Sequence, residues 1–267
     1  MKEKEINVLY LVWGESIAYY GVFDNQVMEQ IIHIQRLGKN VNIDLLTGIA
    51  LTKKLLQDRK AYIQEVNNKK EYLKKHNINM RTRWIFMFTR FFYSNVFTLP
   101  FFHIGHLFYF RRLVKKNNYH IVHCRMYHAA LLASLVRKIF KLKYKIIFDP
   151  RSLLPEEAVV THILKDNGWS YRLWKNIEKK LFDTCDAVVN VSDTFTEHVS
   201  SITQNPNLYT IPTSTNTEVF KGRDPEKRKV MRERLKIEKQ EKVLVFVGAL
   251  NLQATSVEAL AKIYLSF

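Results

Sequence analysis

The stretch Lys145 to Glu157, KIIFDPRSLLPEE, passes within a few residues from an apolar run to Asp149 and Arg151, and then to Glu156 and Glu157. The apolar run before it, in HIVHCRMYH, gives way likewise to His123, Arg125 and His128. Carboxylates beside a guanidinium and imidazoles can do general acid–base work, and the planar fork of an arginine can hold an anion or hydroxyls. An ion-pair network, Asp149 with Arg151 or Arg125 with Glu157, would order the same two loops without chemistry, and both readings stand. Gly14 and Gly21 bracket ESIAYY after the first apolar run. A glycine near a helix start lets phosphate approach backbone N–H groups, but these two make no dinucleotide-binding fingerprint, and a simple turn uses the same residues. Cys124 reads equally well as a buried small hydrophobe, and His103 and His106 have no third metal ligand nearby.

Such residues need a scaffold. Short β-branched runs alternate with longer amphipathic ones: INVLYLVW, a helix near Asp24 to Leu37 with Val27, Ile31 and Ile34 on one face, then VNIDLLTG. The alternation recurs as HIVHCR before AALLASLVRKIF, YKIIFD before SYRLWKNIEKKLFD, and AVVNVS before a helix entered through Thr194 and Glu197 in capping-box spacing. Continuous rather than alternating hydrophobicity in the strands implies burial on both faces, hence a parallel α/β sheet with helices on both sides. In such a sheet, ligands bind beyond the carboxyl ends of the strands. His123, Arg125 and His128 fall at one strand end, and Asp149, Arg151, Glu156 and Glu157 at the next.

The chain has 267 residues, 47% of them hydrophobic, enough for a substantial core. With 42 Lys and Arg against 25 Asp and Glu, its formal charge of +17 favours an anionic partner. Two cysteines fit neither a disulfide framework nor a four-ligand zinc site and suit a reducing compartment. The amino terminus reads as a core strand rather than a leader, and LPFFHIGHLFYF is too short to span a bilayer. Arg81 to Arg112 holds five Arg, no carboxylate and 12 of the 34 aromatic residues. That mixture suits an anionic membrane surface, less so single-stranded nucleic acid, and equally a strand and helix packed on the sheet. Residues 1–220 read as the first domain and 221–242 as a charged connector. KVLVFVGAL and SVEALAKIYLSF then read as the first strand and helix of a second α/β domain over 243–267.

The segments FDPRSLLPEE, YRLWKNIEKKLFDTCDAVVNVSDTFTEHV and YTIPTSTNTEVF, in that order, resemble the amino-terminal half of a GT-B glycosyltransferase of the family 4 type. IVHCRMYHAALLA resembles the family's His-x-Arg segment, and YYGVFDNQVMEQIIHIQRLGKNVNIDLLT its first helix and second strand. The match runs through most of the chain to Phe220. It implies two Rossmann-like domains facing across a cleft, acceptor bound mainly by the first and nucleotide-sugar donor by the second. No metal or cofactor is implied, because helix dipoles and basic side chains stabilise the departing diphosphate. VFVGALNLQATSVEALAKIYLSF resembles only the opening of the donor domain, with Ala249 where many members carry a basic or small polar residue. Gly21 is a reduced form of the paired glycine usual in the first loop.

The implied activity is transfer of a sugar from a nucleotide-sugar donor to a glycan or lipid-linked acceptor in surface polysaccharide or glycolipid assembly. The compartment is cytoplasmic, with peripheral membrane contact, and the chain by itself is expected to be inactive. Asp149 and Glu157 would orient hydroxyls, Arg125 and Arg151 would anchor acceptor or phosphate, and His123 or His128 would lie near the transferred sugar. Gly21 and Glu156 would help bind substrate. Two other classes stay open: a non-catalytic remnant that holds an acceptor or a membrane surface, and a nucleic-acid-binding protein resting on charge alone.

Overall fold

The computed structural model describes residues 5–14, 17, 22–50, 57–85, 98–214, 222–246 and 262, with backbone alone at 50 and 98–103. Two compact units divide the chain, Met1–Thr213 and Ser214–Phe267. In the first, seven apolar segments become strands: Ile6–Val12 (β1), Val41–Ala50 (β2), Asn79–Ile85 (β3), Ile121–Arg125 (β4), Lys145–Asp149 (β5), Ala187–Asn190 (β6) and Leu208–Thr210 (β7). All pair in parallel, in the order β3-β2-β1-β4-β5-β6-β7. The order reverses between β1 and β4, and in open sheets of this kind that crevice is where ligands settle.

Crossovers run through helices Glu29–Leu37 (α1), Arg59–Lys75 (α2), Thr98–Lys116 (α3), Met126–Ile139 (α4), Leu154–Val160 (α5), Trp169–Thr184 (α6) and Asp193–Ile202 (α7). Alternation along β1 splits the core. Leu9 and Leu11 join Phe110 of α3, Leu132 of α4 and Trp174 of α6 on one face; Tyr10 and Val12 join Ile31 of α1 and Val66 of α2 on the other. Each such side chain is buried, which stabilises by about 1.5–3 kcal/mol per large aliphatic. Between β2 and β3 side-chain packing is the constraint: a Cβ on Gly48 would stand 1.6 Å from Ile85 Cδ1, so the isoleucine would have to move.

Helix α2 has an inward row of Tyr62, Val66, Lys69 and Leu73. Lys69 fits there because its ammonium pairs with Asp24, lies 3.9 Å from Glu65 and sits 5.8 Å from the Phe23 ring centroid, while its stem stays in the apolar layer. Helix α7 corrects one expectation. Its cap is Ser192, extended at φ −154° and ψ 159°, whose Oγ accepts from the Phe195 N–H at 3.2 Å; Thr194 already lies in the first turn, so Thr194 and Glu197 form no capping box.

In the second unit, Pro225–Arg234 (α8) is capped by Asp224, whose Oδ1 accepts from the Lys227 N–H at 3.0 Å, and none of its residues is buried. It is the solvated helix that its charge demands. Among the described residues no helix is long and apolar enough to cross a membrane.

Candidate functional site at the carboxyl rim of β1, β4 and β5

Register decides which rim residues can meet. Val12, Arg125 and Asp149 stand level on β1, β4 and β5, and two residues back Tyr10 is level with His123. Residues two apart share a face, so Tyr10, His123, Arg125 and Asp149 all point to one side. Cys124 points to the other, fully buried, its thiol pushed well up by burial and then by the charge of Cys185. It is a core residue, not a nucleophile.

Beyond the strand ends the chain turns sharply. Met126 and Arg151 take left-handed backbone at φ 69° and 64°, where a side chain costs about 1–2 kcal/mol. Each therefore re-aims the chain immediately after a charged strand end. Gly14, following β1, sits at φ 93°, and a Cβ there would come within 3.0 Å of His128 Cδ2. Only glycine satisfies both the backbone and that approach. Gly21 lies outside the described residues.

Asp149 is 1% exposed. Its Oδ2 lies 3.7 Å from His123 Nε2 and its Oδ1 3.7 Å from Arg151 Nη1, contacts too long for hydrogen bonds. Among the described residues neither carboxylate oxygen, nor His123 Nε2, has a hydrogen-bond partner. Leaving a buried carboxylate in that condition is costly, and a ligand hydroxyl would relieve it. His123 is held flat by Tyr10, ring centroids 4.5 Å apart at 21°, and the Tyr10 hydroxyl donates to Gln30 Oε1 at 3.1 Å.

The two guanidiniums are gathered by one amide. Gln26 Oε1 accepts from Arg125 Nη2 at 2.9 Å and from Arg151 Nη2 at 3.0 Å, and Arg151 Nη2 also donates to Thr213 Oγ1 at 2.9 Å. Gln26 lies in a π-helical turn, Asp24–Met28, that runs into α1, a wide turn often associated with functional positions. Sequence reasoning missed it. The available signal was Gln26 and Gln30, four apart, beside the apolar row of Val27 and Ile31.

The other candidates have separate partners. His128 is 2% exposed, edge-on to Trp174 at 5.3 Å, and burial pulls its pKa down to about 4, so the ring is neutral. Glu157 Oε2 accepts from Ser152 Oγ at 2.7 Å. Glu156 Oε1 accepts from Lys175 Nζ at 2.7 Å and from the Tyr171 hydroxyl at 3.3 Å. Lys175 also pairs with the fully buried Glu178, which accepts from the Tyr127 hydroxyl at 2.6 Å. Burial pushes the Glu178 carboxyl up, with Lys175 and Tyr127 pulling the other way. Glu156 thus belongs to a tie joining α4, α5 and α6. Among the described residues, no three His, Cys, Asp or Glu side chains gather as a metal site.

Residues 68–219 match Glycosyltransferase Family 4. No curated protein matches the chain. Among solved structures, sucrose-phosphate synthase from Thermosynechococcus elongatus is 12% identical at a TM-score of 0.54, over 89% of this chain and 54% of that one. A glycosyltransferase from Rickettsia africae is 15% identical at 0.48, over 88% and 51%. Anabaena HepE, solved with UDP and glucose, is 11% identical at 0.48, over 87% and 50%. The first of these shares the fold, and the chain spans about half the length of all three.

Proposed function

The chain belongs to glycosyltransferase family 4 and has the Rossmann-like fold of GT-B enzymes, and on that premise we propose that its Met1–Thr213 unit carries the acceptor side of a sugar-transfer site. The donor in this reading is a nucleotide sugar. The acceptor is a glycan or lipid-linked hydroxyl of surface polysaccharide or glycolipid assembly, and the compartment is the cytoplasm, in keeping with two buried free thiols.

The observation that carries the proposal is Asp149: a buried carboxylate with both oxygens unbonded among the described residues, one strand from the strand-order reversal, flanked by His123 and Arg151. In the proposed mechanism Asp149 accepts a hydrogen bond from a substrate hydroxyl and fixes its direction, which lowers the entropic part of the barrier. Arg125 and Arg151, set by Gln26, offer charge-assisted donors to an anionic group on either substrate. His123, steadied by Tyr10, faces the same space through Nε2. Glu157 and Glu156 act on the loop and on α6 rather than on substrate.

The test is Asp149→Asn, read two ways: nucleoside diphosphate release with nucleotide sugars and acceptors, and acceptor binding by ligand-observed NMR, which does not require turnover. Transfer should fall by roughly 10²-fold or more, the scale of a lost positioning or electrostatic contact, with the unfolding midpoint nearly unchanged. A lowered midpoint with binding and transfer intact would return Asp149 to a purely structural ion pair.

A further inference from the structure

Between Glu71 and Asp149 the chain carries 15 Lys and Arg and not one Asp or Glu. Helices α3 and α4 come from this stretch and meet on the outer surface. The Phe108 and Phe140 ring centroids are 5.6 Å apart, and the Arg111 guanidinium lies 4.8 Å from the Phe140 ring centroid. Ile104 and Phe108, one turn apart on α3, are 56% and 69% exposed, and Ile139 at the end of α4 is 53% exposed. One exposed apolar side chain is ordinary, but three large ones on adjoining helices form a patch. Arg112 and Lys115 continue the exposed face of α3, and Lys138 and Lys141 flank Ile139, all four exposed.

Other cations of the stretch have internal work. Arg81 donates to Asn117 Oδ1 at 3.4 Å and lies 3.7 Å from Asp44, Arg83 stacks 4.3 Å from the Tyr109 ring centroid, and Arg137 and Lys145 pair with Asp186. The expectation attached to Arg81 to Arg112 therefore moves to a different set of residues, and its positions 86–97 lie outside the described residues.

We propose that the outer side of α3, with the carboxyl end of α4, docks on an anionic bilayer surface. Ile104, Phe108 and Ile139 enter the headgroup boundary while Arg112, Lys115, Lys138 and Lys141 meet lipid phosphates. Charge complementarity and aliphatic side chains together select this occupant. A single-stranded nucleic acid would use the cations and stack on Phe108, but would gain nothing from Ile104 or Ile139. The proposal rests on this surface alone, so its failure is separate from any failure of sugar transfer.

The experiment is co-sedimentation of the full chain with vesicles of phosphatidylcholine mixed with phosphatidylglycerol, against vesicles of phosphatidylcholine alone. The chain should bind the mixed vesicles preferentially, and less as salt rises. Ile104→Ser with Phe108→Ser should lower binding by about tenfold or more. Arg112→Glu with Lys138→Glu should lower it by more than about twentyfold, at roughly fivefold per cation removed. Lys60→Glu with Lys70→Glu on α2, an equal change in net charge on the opposite side of the sheet, should leave it near the parent value. Because Ile104, Phe108, Arg112 and Lys138 are exposed, their variants should unfold at the parent midpoint. Docking by this face is overturned if the serine pair binds like the parent or if the α2 pair loses as much as the α3–α4 pair. It is equally overturned if a single-stranded oligonucleotide displaces the chain from vesicles.

Discussion

Replacing Gln26 by leucine tests how the two guanidiniums are held. Leucine keeps the volume and removes the one oxygen that Arg125 and Arg151 share at 2.9 and 3.0 Å. A hydrogen bond to a charged group contributes about 1.5–3 kcal/mol, and a buried donor left without it loses the full desolvation cost. Arg125 is 1% exposed, so its bond to Gln26 is lost in a setting that water cannot reach, whereas Arg151 is more exposed and retains Thr213. The expected loss is therefore about 1.5–3 kcal/mol, the contribution of a hydrogen bond to a charged group. Urea unfolding followed by intrinsic fluorescence is the assay, because all four tryptophans lie in the first unit and two of them, Trp13 and Trp174, are fully buried. Gln26→Glu keeps an acceptor and should retain the parent stability. If leucine costs less than about 0.5 kcal/mol, the scale of an indifferent surface change, the amide does not hold the arginines and the reasoning fails.

Three further outcomes follow from the same geometry. His128 has a folded pKa of about 4, below its unfolded value near 6.5, so its contribution is complete above pH 6.5 and is lost as pH falls toward 4; stability should drop by up to about 3 kcal/mol over that window, and His128→Gln should flatten the drop in pH-dependent urea unfolding. Lys175→Met leaves Glu178 buried with only the Tyr127 hydroxyl, and should cost about 3 kcal/mol; an unchanged denaturation midpoint would remove the α4–α5–α6 tie from the account. Gly14→Ala meets both a left-handed backbone and His128 at 3.0 Å, and should cost about 1–3 kcal/mol by the same measurement.

The sheet and its rim were legible because hydrophobic period and strand-end charge are local signals. Continuous apolar runs gave parallel strands, and the apolar run before Asp149 and Arg151 pairs directly with the one that ends in Arg125, the adjacency the charged strand ends implied. Side-chain partners were not local. After Arg151 turns left-handed, the direction of Glu156 and Glu157 depends on α6 and on Ser152, neither of which a spacing rule can place. Gln26 carried no charge to attract notice, and its reach depends on a π turn. Helix α2 was hidden by chemistry: one of its four inward positions is a lysine, which breaks the apolar stripe that would have announced it. The Ser192 cap was missed because Thr194 and Glu197 offered the same spacing two residues too late.

The strand order also has a consequence for synthesis. β1 leaves the ribosome first, yet finishes in the middle of the sheet, with β2 on one side and β4 on the other. Once β3 has emerged at Ile85, three strands can pair, but the second edge of β1 stays bare until Arg125 is made. At translation rates of roughly 5–20 residues per second, that interval is about 2–8 s. During it, the backbone donors and acceptors of an apolar, fully parallel edge face solvent, a template for the same edge on a neighbouring nascent chain. Production of this protein should therefore depend on holding nascent chains apart, and slowing translation between residues 85 and 125 should raise aggregation, whereas slowing it after β4 is complete should not.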